Sequence, residues 1–260
     1  MDGNLSINSG FGRPIARLNK KTISVVSNQD EITSNEIPVV KKIVIPPSDP
    51  SKFQIIPDET TERQVLYVAG PSGSGKSTFV VSYLNEYKRR YKKRPVFVLS
   101  ALQEDETLDK IVGLKRIRLD DQMYLNPLTA EMFEECVVVA DDVDCIEDTK
   151  IHGAVIKLIN SILTVGRHFK TSIIFTNHLA TDRGNTRKIL NEAHAIVVFP
   201  FSGSTHGIKY LLERYCGLEK KAFQEIRKTK SRWACVFKHY PTVIMTEKML
   251  YQPNGDDDDL

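Results

Sequence analysis

Residues 65–78 read VLYVAGPSGSGKST, a short apolar run followed directly by a glycine-rich loop. From Gly70 to Ser77 the loop fits the pattern G-x-x-x-x-G-K-S, in which the backbone N–H groups of a concave loop face phosphate oxygens. Such a loop needs glycine where a side chain would collide or where φ must be positive. A helix that begins at the end of the loop adds unsatisfied N–H groups and a positive dipole end, which favour an anion. The stretch therefore predicts a strand, a phosphate-binding loop and a helix, in that order.

The residues predicted to bind a nucleotide form one continuous segment. We expect Lys76 to lie along the β and γ phosphates of ATP, Ser77 to bind Mg²⁺, and Thr78 to support the helix start or the α-phosphate. The alternative is a flexible Gly/Ser loop without a ligand, and the strand-like run before it and the amphipathic pattern after it argue against that alternative. The full set is Gly70, Pro71, Ser72, Gly73, Ser74, Gly75, Lys76, Ser77 and Thr78.

Further apolar runs follow the loop at intervals. They are VFVLS (96–100), CVVVADD (136–142), SIIFTN (172–177) and AIVVFP (195–200). Uninterrupted runs of this kind are typical of strands buried on both faces of a parallel sheet. Amphipathic helix patterns lie between them, at 77–90 and 151–165, so the sequence predicts an α/β fold with a mainly parallel central sheet flanked by helices. Near the end, RWACVFKHYPTVIMT (232–246) predicts a C-terminal β-hairpin.

Composition sets limits on the class of protein. The chain has 260 residues, of which 41% are hydrophobic and 27% charged, as in ordinary globular proteins. Its apolar runs are much shorter than the roughly 20 residues that span a bilayer, so we expect no membrane-spanning segment. The start of the chain lacks the features of a secretory signal, and the four cysteines lack the spacing of a zinc site or a disulfide framework.

An acidic pair ends the run 136–142. An ATPase with this loop needs one carboxylate to hold Mg²⁺ and a second acidic group to orient or deprotonate the attacking water. We assign Asp141 to the first role and Asp142 to the second. On the alternative interpretation both are turn and helix-capping aspartates that close a strand.

A polar residue, Asn177, ends the following run, with Thr176 and His178 as its neighbours. Such a residue would lie beside the strand of the phosphate loop and could contact the γ-phosphate or the attacking water; the alternative role is a strand-end cap. Arg167, Arg183 or Arg187 could act in the site of an adjoining subunit. We prefer Arg187, although a surface arginine is the simpler interpretation of each.

The order of these motifs resembles the genome-packaging ATPases of large double-stranded DNA viruses, the poxvirus-type branch of the FtsK/HerA superfamily. The resemblance extends over residues 63–247. It rests on the phosphate loop, the acidic pair, GRHFKTSIIFTNH (166–178), RKILNEAHAIVVFPFS (187–202) and the closing RWACVFKHYPTVIM (232–245).

That resemblance implies a RecA-like P-loop core, a homo-oligomeric ring, Mg²⁺-dependent ATP hydrolysis and movement of double-stranded DNA into a preformed capsid. Capsid or portal proteins would be partners, and the protein would act in the virion or at an assembly site in the host cytoplasm. The corresponding division of the chain is an N-terminal arm with short strands (1–60), an ATPase core (61–247) and an acidic tail (248–260). A small P-loop kinase and an ATP-gated interaction protein without motor activity are the alternatives.

Two basic clusters are candidate DNA contacts, because lysine and arginine neutralise phosphates without regard to base sequence. Solvated helix ends, where cations are favoured by the dipole, are an equally good interpretation of the first cluster. The first contains Lys88, Arg89, Arg90, Lys92, Lys93 and Arg94, and the second Arg227, Lys228, Lys230 and Arg232.

Overall fold

The computed structural model describes residues 3–178 and 186–253. Arg183 and the acidic residues 256–259 therefore lie outside the described residues.

The strands are β1 (Leu5–Ile7), β2 (Arg13–Leu18), β3 (Lys21–Val25), β4 (Val39–Val40), β5 (Lys42–Val44), β6 (Phe53–Ile55), β7 (Val65–Ala69), β8 (Val96–Ser100), β9 (Leu114–Ile117), β10 (Val137–Asp141), β11 (Ser172–Asn177), β12 (Ala195–Val198), β13 (Ala234–Phe237), β14 (Val243–Thr246) and β15 (Met249–Tyr251). The helices are α1 (Gln29–Ser34), α2 (Lys76–Arg90), α3 (Gln122–Leu125), α4 (Thr149–Val165), α5 (Arg187–Glu192), α6 (Thr205–Cys216) and α7 (Lys220–Lys228), with short 3-10 turns at Leu108–Lys110, Ala130–Phe133 and Val143–Cys145.

The chain divides into two compact units. One runs from Thr61 to His194 and is called here the parallel-sheet unit; the other, the antiparallel unit, combines the chain up to Thr60 with the chain from Ala195 onward. This division differs from the one drawn from the sequence, which kept 61–247 together. The segment 248–260, which we expected to be an acidic tail, contains the strand β15.

The parallel-sheet unit carries the phosphate loop. Its strands lie in the order β7-β11-β10-β8-β9 and all neighbouring pairs are parallel. Every residue of β7, β10 and β11 is buried, as expected for strands covered on both faces. Helix α4 buries the apolar face that the sequence pattern predicts, from Val155 to Leu163. The predicted α/β fold with a parallel sheet and flanking helices is confirmed.

Both ends of α4 are held by side chains. At its start the Asp148 carboxylate accepts hydrogen bonds from the backbone N–H groups of Lys150 and Ile151, at 2.8 and 2.9 Å. At its end the Arg63 guanidinium donates to the carbonyl oxygens of Ile162 and Leu163, at 2.8 and 2.9 Å. The Asp148 contacts satisfy N–H groups that a helix leaves unpaired, whereas the Ile162 oxygen also accepts from the Gly166 N–H. Both charges lie where the helix dipole favours them.

The antiparallel unit contains two groups of strands. One has the order β5-β15-β14-β13-β12, and the other is a five-stranded sheet in the order β4-β1-β3-β2-β6. The predicted C-terminal hairpin is β13 with β14, in which Phe237 pairs with Val243. The first sixty residues form more than an arm of short strands, since Ile15, Ile23 and Phe53 are almost fully buried.

A buried carboxylate, Glu247, links several segments of the antiparallel unit. Its oxygens accept hydrogen bonds from Lys52 Nζ at 2.8 Å, from the Arg232 guanidinium at 3.0 Å and from the Arg232 backbone N–H at 3.0 Å. Burial alone would raise the pKa of Glu247, but these hydrogen bonds outweigh it and hold the pKa at about 2.

Across residues 3–178 and 186–253, no helix is both long enough and apolar enough to cross a membrane.

Candidate active site

The loop between β7 and α2 has the backbone conformation that its glycines permit. Gly75 has φ of 104° and Gly73 has φ of 74°, values that strain residues with a side chain. Helix α2 begins immediately after Gly75, whose carbonyl accepts the first helical hydrogen bond, from Phe79 N–H at 3.0 Å. The Gly70 N–H donates to the Asn177 carbonyl oxygen at 3.0 Å, which fixes the start of the loop against the end of β11.

The first turn of α2 is suited to an anion. It contains no acidic residue, and in the described part of the chain no side chain caps it by a hydrogen bond. Its backbone N–H groups are therefore available to a phosphate, which the positive end of the helix dipole also favours.

Lys76 lies at the floor of the loop with 6% of its surface exposed. Its ammonium donates to the Gly70 carbonyl oxygen at 2.9 Å, and it lies 3.3 Å from Nδ1 of His178 and 3.7 Å from Oδ1 of Asp142. A buried ammonium requires such partners, because removing it from water without them is unfavourable. The positive charge is thus held next to the first turn of α2.

Asp141 ends β10 and is 3% exposed. The Thr176 hydroxyl donates to its Oδ1 at 2.8 Å, and the Ser100 hydroxyl donates to its Oδ2 at 3.2 Å. Burial raises the pKa of Asp141, and the nearby charges of Asp142 and Asp105 raise it further, whereas the two hydroxyl hydrogen bonds oppose the rise. A divalent cation at this carboxylate would favour its ionised form.

Asp142 turns the chain away from β10. Its φ of 44° lies in the left-handed region, and its backbone N–H donates to the Thr176 hydroxyl oxygen at 3.1 Å. The carboxylate lies between two nitrogen groups, with Oδ2 3.0 Å from Nε2 of His178 and Oδ1 3.7 Å from Lys76 Nζ. The left-handed conformation, which aspartate tolerates better than most residues, accompanies this placement beside the lysine.

Asn177 lies at the end of β11, paired in register with Ala69 at the end of β7, and is 2% exposed. It is thus beside the strand that leads into the phosphate loop, where the sequence predicted it. Arg187 is exposed and is the first residue of α5. Arg167 is also exposed, and its Nε lies 3.3 Å from a Glu62 carboxylate oxygen in a surface ion pair.

The structure adds residues that sequence reasoning did not assign to the site. Ser100 ends the run 96–100, and a polar residue at the end of a predicted parallel strand is a signal that could have found it. Asp105 had no such signal, because its contact is tertiary: the Ser77 hydroxyl donates to its Oδ2 at 3.4 Å. Thr176 and His178 were noted only as neighbours of Asn177, yet both contact Asp142.

The donor set near Ser77 fits a hard divalent cation. The hydroxyl of Ser77 and the carboxylates of Asp141 and Asp105 are oxygen donors, which Mg²⁺ prefers. Within the two described ranges, no group of three or more His, Cys, Asp and Glu residues could hold a metal ion. Mg²⁺ commonly binds to one or two protein oxygens together with water and substrate phosphates, so the few donors here match a cation shared with a nucleotide.

The two basic clusters make many contacts within their own unit. Arg94 pairs with Glu135 at 3.0 Å and lies over the Tyr91 ring at 4.3 Å. In the second cluster, Lys228 pairs with Glu225 at 2.6 Å. Charges engaged in this way contribute less to the binding of a polyanion than free ones, whereas Lys92 and Lys93 of the first cluster are exposed.

Comparison with known proteins identifies one related sequence and several similar folds. No protein-family model matches the chain. The uncharacterized protein V3 of the Sputnik virophage is 40% identical over 187 residues, which make up 71% of this chain and 75% of the virophage protein.

Two solved structures illustrate the similar folds. B204, the DNA-packaging ATPase of Sulfolobus turreted icosahedral virus, gives a TM-score of 0.45 at 14% identity, over 75% of this chain and 99% of that chain. The cytoplasmic domain of the type VII secretion ATPase EccC of Thermomonospora curvata gives a TM-score of 0.50 at 12% identity, over 84% of this chain and 30% of that chain. At this level of identity the likeness concerns the fold alone.

Proposed function

We propose that this chain, which belongs to the family of the Sputnik virophage protein V3, is a viral Mg²⁺-dependent ATPase that moves double-stranded DNA into capsids. One observation carries the enzymatic part of this proposal: Lys76 of the phosphate loop and the Asp141-Asp142 pair converge at the carboxyl edge of the parallel sheet, the edge at which such folds bind ligands. The resemblance of the motif order to packaging ATPases supports the coupling of hydrolysis to DNA movement.

In the proposed reaction the oxygen of a water molecule attacks the γ-phosphorus of ATP. The bond between the γ-phosphorus and the bridging oxygen breaks, ADP leaves, and the water proton passes to the Asp142 carboxylate and then to solvent. Mg²⁺, when bound, neutralises charge on the phosphate oxygens. Ser77 and Asp141 would hold it, and Asp105 accepts a hydrogen bond from the Ser77 hydroxyl at 3.4 Å.

Lys76 and Asn177 serve the γ-phosphate in this proposal. The backbone N–H groups of the loop and of the first turn of α2 bind the phosphates, and the Lys76 ammonium exchanges its contacts with His178 and Asp142 for phosphate oxygens. Asn177, at the end of the adjacent strand, is the proposed sensor of the γ-phosphate.

The proposal extends to assembly. The protein would act as a homo-oligomeric ring with capsid or portal proteins as partners, in the virion or at an assembly site in the host cytoplasm. Arg187 would reach the site of the adjoining copy and stabilise charge in the transition state. Its exposure at the start of α5 is compatible with that role.

The test is ATP turnover measured with and without double-stranded DNA, for the wild type, Asp142→Asn and Asp144→Asn. Asp144 is a matched control because it is an exposed aspartate in the turn that follows the acidic pair. We expect DNA to stimulate the wild type and the control, and Asp142→Asn to bind ATP but turn it over at least about a hundredfold more slowly. Turnover that DNA leaves unchanged would exclude the motor, and phosphate transfer to a small acceptor would identify a kinase.

A further inference from the structure

His178, the residue directly after β11, contacts two groups of the site with its two ring nitrogens. Nδ1 lies 3.3 Å from Lys76 Nζ, and Nε2 lies 3.0 Å from Asp142 Oδ2. Because Asp142 Oδ1 is itself 3.7 Å from Lys76 Nζ, the three side chains form a closed triangle. The imidazole is about one-third exposed, so it lies at the border between the buried lysine and solvent.

One form of the imidazole satisfies both contacts. An ammonium can only donate hydrogen bonds, so Nδ1 must accept the one from Lys76, and an ionised carboxylate can only accept, so Nε2 must carry the hydrogen that Asp142 receives. The neutral ring with its proton on Nε2 meets both conditions. The two contacts thus fix the direction of both hydrogen bonds: Lys76 donates to His178, and His178 donates to Asp142.

Among the described residues, the other contacts of the Asp142 carboxylate are longer and involve Oδ1. Oδ1 lies 3.4 Å from the Thr176 hydroxyl, which gives its shorter hydrogen bond to Asp141, and 3.7 Å from Lys76. Oδ2 is held by His178 at 3.0 Å. Among the described residues, the imidazole is thus the closest contact of this carboxylate, and it would remain in place if the contact with Lys76 were lost.

We propose that His178 is a positioning residue that orients the Asp142 carboxylate for the attacking water when Lys76 moves to the γ-phosphate. Departure of the ammonium opens Oδ1 to water, while the hydrogen bond from Nε2 keeps Oδ2 and the plane of the carboxylate fixed. The inference rests on the proposed ATPase activity and assigns to His178 a role that acts through Asp142.

The experiment compares ATP turnover and ATP affinity in the full chain for His178→Ala, His178→Gln and the control His168→Ala. Glutamine can place an amide N–H near the position of Nε2, whereas alanine cannot donate a hydrogen bond; His168 is an exposed histidine of the same unit that lies in the turn after α4. We expect His178→Ala to lower kcat about tenfold or more, as for the loss of a hydrogen bond to a charged group. ATP affinity should stay within about twofold, since the substitution leaves the phosphate loop intact, and His178→Gln should recover most of the loss.

A double substitution tests whether His178 acts through Asp142. In an Asp142→Asn background, measured under single-turnover conditions, His178→Ala should change the rate by less than about twofold, because residues that act as a unit are not additive. A further tenfold fall in that background would overturn the inference, as would wild-type kcat in His178→Ala or equal losses in the alanine and glutamine variants.

The outcomes separate this inference from the function on which it rests. Absence of ATP hydrolysis in the wild type would overturn both, whereas hydrolysis that depends on Asp142 but not on His178 would overturn this inference alone. If His178→Ala does not fold, as judged by its thermal unfolding, His178→Met provides a variant of larger volume that also lacks the N–H donor, and the same criteria apply.

Discussion

Replacement of Asp141 by asparagine should stabilise the nucleotide-free protein while it removes activity. The wild-type carboxylate is 3% exposed, and its hydrogen-bond partners are the neutral hydroxyls of Thr176 and Ser100. Neutral donors compensate a buried charge only in part, and the negative charge of Asp142 is adjacent. Asparagine has nearly the same shape; its oxygen can accept from Thr176, and its amide can donate to the Ser100 oxygen.

The expected gain at neutral pH is about 1–2 kcal/mol in the free energy of unfolding, the usual range for relief of an unfavourable functional residue. For a chain of this length that gain corresponds to a rise in Tm of about 2–8 °C. Thermal unfolding followed by circular dichroism, without nucleotide or Mg²⁺, measures it. Asp144→Asn, at an exposed position, should stay within about 0.5 kcal/mol of the wild type.

The pH dependence of the gain provides the sharper test. The folded-state pKa of Asp141 is raised above its ordinary value, so the protonated form stabilises the fold at low pH, and that stability is lost as pH rises through the folded pKa. The advantage of the asparagine variant should therefore grow as pH rises from about 3.8, the ordinary pKa of aspartate, to neutral pH. An advantage that does not change over this range, or a variant that is less stable than the wild type throughout it, would refute the assignment of an unfavourable buried charge at Asp141.

Three further outcomes are expected. Lys76→Ala should abolish ATP binding in a calorimetric titration, while Lys92→Ala, at an exposed lysine, should leave it unchanged; tight binding by Lys76→Ala would contradict the site. Thr176→Val keeps the side-chain shape but removes the hydroxyl shared by both aspartates, and urea unfolding should show a loss of about 2–4 kcal/mol; a loss below about 0.5 kcal/mol would mean that the hydroxyl is not needed. Glu247→Gln should lower the free energy of unfolding by about 1–2 kcal/mol at pH 7, because a carboxyl group with a lowered pKa stabilises the fold above its ordinary pKa. The difference from the wild type should disappear as pH falls from about 4.5 towards 2. A difference that persists under acid conditions would contradict the lowered pKa of Glu247.

The site could be predicted from the sequence wherever a local pattern determined the position of a residue. Buried runs indicated parallel strands, and parallel strands bring their carboxyl ends to one edge, so the sequence alone was enough to place Asp141 and Asn177 beside the phosphate loop. The glycines of the loop and the buried face of α4 followed from equally local rules.

Long-range contacts were beyond such reasoning. The grouping of residues from 195 onward with the first sixty depends on pairings such as Met249 with Val44, for which neither strand carries a signal of its partner. The contact between Ser77 and Asp105 is of the same kind. The position of His178 was visible in the sequence, but its role depends on where its two ring nitrogens lie, which only the folded chain determines.

The contacts of Lys76 bear on how nucleotide binding could be coupled to the acidic pair. The ammonium contacts a backbone carbonyl, an imidazole nitrogen and a carboxylate oxygen, the last two of which belong to His178 and Asp142. In the proposed ATPase, a triphosphate would offer the same ammonium stronger, charged acceptors, and its binding would release His178 and Asp142 from the lysine. A ligand can shift the equilibrium between two conformations only if it interacts differently with each of them. The exchange of partners at Lys76 would be such a difference between the ATP-bound and ATP-free forms. If the proposed function holds, one side chain, that of Lys76, would link binding at the phosphate loop to the orientation of the Asp142 carboxylate.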